Sequence, residues 1–382
     1  MIKILICSLT YSLPNGVTVS INTSIDGFNK KGIKSLVVSP DYDIGEIRKE
    51  HRLVPSSLIL KNIGLLIGKK ERTFGLGSYN QIKKIDNELR PDIYWLHTIT
   101  WTANTFEQIM FKSKKPKVVF YHTMVEEYGR IYAGTIGAAI MKKRSKIVCN
   151  KSNAVIVPSE MMKKKLVKYG VKTPIHIIPT GIVMPEKQLS KKEICERFNI
   201  NPDSKILLYV GRVSKEKNLE ILLRVTKKVN ENGIDATLLF VGPGDTKEIA
   251  KDAKRLGIGD KAVFTGGLPK VEAQSFYAGC DAFVFSSQTE TQGLVIGEAM
   301  ISGIPIIALK SSIQEEVYPE GTAIVVCNLS EFVEKLTAIL KGEGDVLKMV
   351  QNAKDFVEKK FSEKSMIEKQ IRLFKDLIVT KE

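Results

Sequence analysis

Cysteine is scarce: Cys7, Cys149, Cys195, Cys280 and Cys327 are odd in number, scattered, and without a CxxC pair. That spacing excludes a disulfide framework and a zinc knuckle and fits a reducing, cytoplasmic setting. Long apolar runs are also missing. The nearest candidate, LVIGEAMISGIPIIAL, is broken by Glu298 and Pro305, short of the roughly 18 apolar residues of a spanning helix. The opening IKILICSLT is shorter than most secretory-signal cores and runs into Pro14-Asn15-Gly16, so it reads as a first strand. No internal repeat, low-complexity tract, helix-turn-helix, RNA-binding signature or aromatic platform is found, which sets nucleic acid aside as a partner. Acidic residues are in deficit, but only in the first half. Up to Glu186, 29 Lys and Arg stand against 14 Asp and Glu, and beyond it 29 against 28, so +15 of the +16 net charge lies before residue 187. A basic excess confined to one part of a chain suggests that this part meets something anionic.

What is present reads as two domains. The 382 residues exceed one usual core, and 43% hydrophobic with 26% charged residues is an ordinary globular composition. Short β-branched runs, IKILIC (2–7), SLVVS (35–39), IYWLH (93–97), KVVFYH (117–122) and AVIVP (154–158), alternate with segments of helical period. The beat restarts at KILLYVG (205–211) and continues through ATLLFVG, AVFTG, AFVFS and IPIIAL. Unbroken apolar runs are expected of parallel strands covered by helices on both faces. The spacing therefore predicts an α/β chain of two doubly wound sheets in series, with a linker near 182–192 where IPTGIVMPEKQLSKKE loses both periods. The expected division is 1–182, 183–364 and a C-terminal helix at 365–382, begun by a capping box of Ser365 and Glu368.

In such sheets ligands bind beyond the carboxyl ends of the strands. Glycines collect there: Gly16, Gly211, the pair Gly242 and Gly244, and Gly266-Gly267. They allow close backbone approach to a phosphate or serve a tight turn. GRVSKEKN adds Arg212 and Lys217, a fork and a point charge suited to a departing diphosphate or simply a solvated basic turn. SSQTETQGLVIGEAM sets Glu290 in a loop and Glu298 within the next helix, so the two carboxylates serve different jobs or are both solvated. Gln292, Gly293 and Leu294 between them offer helix-start amides. A glycosidase pair would flank a scissile bond and need no phosphate cradle.

These residues resemble a known family. ETQGLVIGEAMISGIP is similar to the E-x7-E signature of the retaining glycosyltransferases of family 4, and IIPTGI, VGRVSKEKN, VGPGD and VFTGGLPKVEAQSFYAGCDAFVFSS follow that family's order and spacing over about 175–310. The resemblance implies a GT-B architecture of two facing Rossmann-like domains, with the C-terminal helix crossing back. It further implies a nucleotide-sugar donor substrate, UDP-glucose by analogy, and neither cofactor nor metal. On that basis Arg212 and Lys217 hold the donor diphosphate, Glu298 the ribose, and the backbone near Leu268 the base. Glu290 and the amides of Gln292, Gly293 and Leu294 hold the sugar, Gly16 lines the phosphate, and His122 contacts the transferred sugar. Asn15-Gly16 stands where the family often has paired glycines, and Val183 where it often has Asp.

TETQGL with HTMVEEY (122–128) is similar to the diacylglycerol glucosyltransferases. In YGRIYAGTIGAAIMKKRSK, Tyr128, Tyr132, Ile136 and Ile140 fall at i+4 steps before Lys142, Lys143, Arg144 and Lys146. NIGLLIGKKER (62–72) and EMMKKKLVKYG (160–170) repeat the pairing. Such segments suit an anionic membrane surface or a core helix with a solvated basic end. The expectation is a peripheral enzyme on the inner face of the cell membrane with a lipid acceptor. A soluble or polyprenyl-linked acceptor and a GT-B epimerase remain open, as does the oligomeric state.

Overall fold

A computed structural model describes residues 1–13, 15–42, 48–56, 72–101, 103–287, 290–311 and 314–380. The chain divides into two compact units, Met1–Gly181 with Glu363–Glu382, and Ile182–Ser362.

Unit 1 carries β1 (Lys3–Cys7), β2 (Lys34–Pro40), β3 (His51–Val54), β4 (Ile93–Leu96), β5 (Lys117–Phe120), β6 (Ala154–Val157) and β7 (Ile175–Ile177), in the spatial order β3-β2-β1-β4-β5-β6-β7. All the pairings are parallel. Alternation along β1 shows why the runs are apolar throughout: Leu5 and Cys7 enter one core cluster and Ile4 and Ile6 the other, because successive side chains point to opposite faces. The second cluster is closed by the helix Glu363–Val379, whose Ile367 and Phe374 pack with Ile21, Ile25 and Phe28 of the helix Gly16–Lys30. That last helix begins at Glu363, ahead of the anticipated capping box, so Ser365 already lies inside it.

Unit 2 repeats the plan with β8 (Lys205–Val210), β9 (Ala236–Val241), β10 (Ala262–Phe264), β11 (Ala282–Phe285), β12 (Ile306–Leu309) and β13 (Ile324–Val326), ordered β10-β9-β8-β11-β12-β13. Its pairings too are parallel. The edge strands β3, β7 and β13 did not stand out in the sequence. HRLV, IHI and IVV are only three or four residues long, too short to show a period.

In each unit the chain runs outward from a central strand, then returns to that strand's other side. Strand order therefore reverses between β1 and β4 and again between β8 and β11. Loops diverge at such a switch point and leave a crevice beyond the strand ends. Gly16 and His97 follow the strands at the first of these points, and Lys217, Ser286 and Ser287 those at the second.

Candidate active site

Beyond β8 the chain leaves through Gly211-Arg212 and makes a single 3-10 turn, Lys215–Lys217, before the helix Glu220–Glu231. Lys217 thus ends the turn, three residues ahead of that helix. Its Nζ donates to Glu290 Oε1 at 2.6 Å and reaches Ser287 Oγ at 3.4 Å, while Ser286 Oγ donates to the Lys217 carbonyl at 2.8 Å. Ser286 and Ser287 directly follow β11, so the strand-end loops on both sides of the switch point are stitched together. The Lys217 and Glu290 side chains are 19% and 18% exposed, open enough for an anion to reach the ammonium. Arg212 is exposed, and its guanidinium makes no hydrogen bond or ion pair among the described residues. Below it, Tyr209 donates its hydroxyl to the Arg212 carbonyl at 3.1 Å. Burial, reinforced by Glu290, pushes that phenol's pKa far up, so it stays a neutral donor.

Not all the glycines are there for a ligand. A Cβ on Gly242, whose φ is +145°, would stand 2.2 Å from the Gly211 carbonyl oxygen. This glycine is required because the loops after β8 and β9 run backbone against backbone. Gly293 differs: at φ 70°, ψ 50° it is the left-handed residue that starts the helix Leu294–Ser302 without a side-chain cap. Leu294 opens that helix half-buried, and Gln292 is buried just before it.

The two glutamates of the motif face different surroundings. Glu298 is 7% exposed. Gln274 Nε2 donates to its Oε1 at 2.7 Å and Tyr277 Oη to its Oε2 at 3.0 Å. Burial raises its pKa, while Lys270 and the two hydrogen bonds pull it back down. Gln274 also donates to the Val183 carbonyl at 3.0 Å and belongs to the short helix Lys270–Gln274, two residues after the half-buried Leu268. Glu298 and the segment at Val183 are therefore tied together by one side chain. Gln274 and Tyr277 were not singled out in the sequence; nothing in VEAQSFYAGC marks them before folding.

In unit 1, Gly16 is the exposed first residue of its helix. Asn15 caps that helix, its Oδ1 accepting from the amides of Val17 at 2.8 Å and Thr18 at 3.0 Å. Asparagine in place of a glycine thus uses two amides that a glycine would leave open to a ligand. His122 lies two residues past β5, and its Nε2 is 2.8 Å from Nδ1 of His97, the residue after β4. His97 was not singled out either: a lone strand-end histidine gives no sign of its partner 25 residues on.

The basic and apolar segments separate into two kinds. The helix Val125–Asn150 is interrupted at Ala133 and Gly134, so the i+4 series does not run straight from Tyr128 to Ile140. Beyond the break, Ile136, Ile140 and Ile147 are 73%, 46% and 40% exposed, and Lys142, Lys143 and Lys146 are exposed with them. Arg144 turns inward, pairing with the buried Glu107 and donating to the Thr100 carbonyl at 3.2 Å. In the helix Glu160–Lys168 the apolar face goes to the core through Met162 and Leu166, and Lys165 pairs with Glu126. Residues 62–71 lie outside the described residues.

Two family models match this chain, Glycosyltransferase Family 4 over 14–184 and Glycosyl transferases group 1 over 190–356. The chain belongs to glycosyltransferase family 4. Its fold is GT-B, as its Rossmann-like units and structural neighbours show. This family 4 chain is 30% identical over 257 residues to the alpha-monoglucosyldiacylglycerol synthase of Streptococcus pneumoniae, an alignment covering 63% of the chain and 56% of that relative. The chain thus spans just over half the length of that relative. It is 21% identical to the synthase of the same name from Acholeplasma laidlawii, covering 96% of the chain and 94% of the relative. Among solved structures it is similar to sucrose-phosphate synthase from Thermosynechococcus elongatus, with a TM-score of 0.79, 18% identity and full coverage of both chains.

Proposed function

We propose that this family 4 chain transfers a glucosyl group from UDP-glucose to a membrane lipid such as diacylglycerol, with retention at the anomeric carbon. On this reading the acceptor hydroxyl attacks C1 from the face that the diphosphate leaves. The bond from C1 to the diphosphate oxygen breaks with its electron pair, and the hydroxyl proton passes to the departing phosphate oxygen. Arg212 and Lys217, rather than a metal, neutralise the charge that develops, since fixed cations at a strand-end crevice act most where charge appears in the transition state. Glu298 with its two donors takes the ribose hydroxyls, the backbone at Leu268 the base, and Glu290 with the amides from Gln292 to Leu294 the sugar.

The observation that carries the lipid acceptor is the exposed Ile136, Ile140 and Ile147 among exposed Lys142, Lys143 and Lys146 on one helix of the basic half. Water is a poor neighbour for three isoleucines, whereas an anionic bilayer takes the apolar chains and attracts each lysine by about 1 kcal/mol. No helix among the described residues is long and apolar enough to cross a membrane. The glucolipid synthase relatives support the same acceptor class.

The test is flotation with neutral and anionic vesicles, followed by incubation with labelled UDP- and GDP-sugars and diacylglycerol and thin-layer separation. The reading expects flotation that requires anionic lipid, is lost on Ile136→Asp with Ile140→Asp, and yields a labelled glycolipid from UDP-glucose. Label transferred only to a soluble or polyprenyl-linked acceptor overturns the acceptor. UDP release that ignores added acceptor points to an epimerase.

A further inference from the structure

Two of the chain's four histidines meet at the strand-end edge of unit 1. With His97 Nδ1 2.8 Å from His122 Nε2, one proton lies between them, and the carrier of that proton fixes the tautomer of both rings. Neither ring is placed to turn away. Trp95 and Phe120 flank His97 at centroid distances of 4.3 and 5.5 Å, and Phe120 lies 3.7 Å from His122 and nearly parallel to it.

The outer nitrogens decide between the two arrangements. His97 Nε2 is buried with no hydrogen-bond partner, whereas His122 is half-buried and its Nδ1 has no protein partner among the described residues. If His122 donated through Nε2, His97 would carry its own proton on the sealed Nε2. That orphaned donor would cost about 1–3 kcal/mol, and buried N–H groups without an acceptor are rarer than under-used acceptors. If His97 donates through Nδ1, only a lone pair is left unused in the interior, and the proton of His122 moves to Nδ1.

We infer that His97 is a positioning residue that holds His122 in the Nδ1–H tautomer, so that His122 presents a hydrogen-bond donor, not a base, to an oxygen atom of the ligand. That the oxygen is a hydroxyl of the transferred sugar rests on the proposed function. Burial keeps both rings neutral, lowering the His122 pKa to about 3 and that of His97 well below its usual range. The donor is then present unchanged across physiological pH.

The experiment is long-range 1H–15N correlation NMR on the full chain labelled with 15N-histidine, without substrate, with His97→Asn and His122→Gln used for assignment. The expected pattern is a protonated Nδ1 and a bare Nε2 on His122, constant from pH 6 to 8. In His97→Ala the unpartnered ring should revert to the Nε2–H form that free neutral histidine favours, and kcat should fall about tenfold. His97→Asn, whose amide can place a donor where Nδ1 stands, should restore most of that loss. A proton on Nε2 of His122, or a cationic ring, in the unaltered protein overturns the inference, even if His97→Ala does not fold. If the tautomer is Nδ1–H and no glucosyl transfer occurs, the proposed function fails and the inference stands.

Discussion

Lys217 is where the proposed chemistry is most exposed to test, because its structural and catalytic contributions differ in size and can be separated. Its ammonium lies 2.6 Å from Glu290 with both side chains about four-fifths covered. At an effective dielectric of about 20, unit charges at that distance attract by roughly 6 kcal/mol before desolvation is subtracted. After that subtraction, Lys217→Ala leaves a mostly covered carboxylate unpaired, which costs about 1–3 kcal/mol. For a unit of this size, that is a fall in Tm of roughly 2–10 °C. The catalytic loss is separate. Removing one preorganised group from a leaving charge costs about 10²- to 10³-fold in turnover. Lys217→Ala should therefore show kcat lower by two to three powers of ten in nucleoside diphosphate release with saturating acceptor vesicles, with a smaller change in donor KM. Adding Glu290→Gln removes the unpaired charge and should return most of the lost Tm, but none of the rate. A Lys217→Ala enzyme within threefold of the unaltered rate, or a double variant that regains turnover with stability, would refute a role for this lysine in stabilising the leaving group.

Arg144→Met should lower stability by about 3–5 kcal/mol, because it leaves Glu107 charged and buried. Lys142→Ala with Lys143→Ala and Lys146→Ala should leave Tm within about 2 °C and weaken binding to anionic vesicles; the opposite pattern in melting and flotation would show that the basic run has been divided wrongly. Gln274→Ala removes one of the two hydrogen bonds described to Glu298 and leaves the Val183 carbonyl without this one, so it should cost about 1–3 kcal/mol in denaturant titration, and a neutral result would argue against that tie. Unit 1 should weaken in mild acid. His51 and His122 have pKa values lowered by burial to about 4 and about 3, so the unfolded chain binds the extra protons. Their stabilisation is complete above pH 6.5 and falls away as pH drops toward those values, by up to about 2 kcal/mol per ring at pH 5. Burial raises the Glu107 pKa and opposes this in part; thermal melts that stay level from pH 7 to 5 would contradict the balance.

Much of this protein was legible in the amino-acid order because local chemistry repeats. Unbroken runs such as KILLYVG and ATLLFVG read as strands covered on both faces, and the restart of the beat after residue 200 announced a second sheet. ETQGLVIGEAM, with GRVSKEKN before it, pointed to the family through its resemblance to that family's signature. Partners, however, are chosen by folding. Lys217 and Glu290 are 73 residues apart, Glu298 meets Gln274 and Tyr277 from a different element, and the helix turns Arg144 inward while its lysine neighbours stay exposed. His122 stood out by resemblance, but nothing linked His97 to it until β4 and β5 lay side by side. A sequence records which groups are available and at what period, but hydrogen bonds and desolvation act through distances that only the tertiary fold sets.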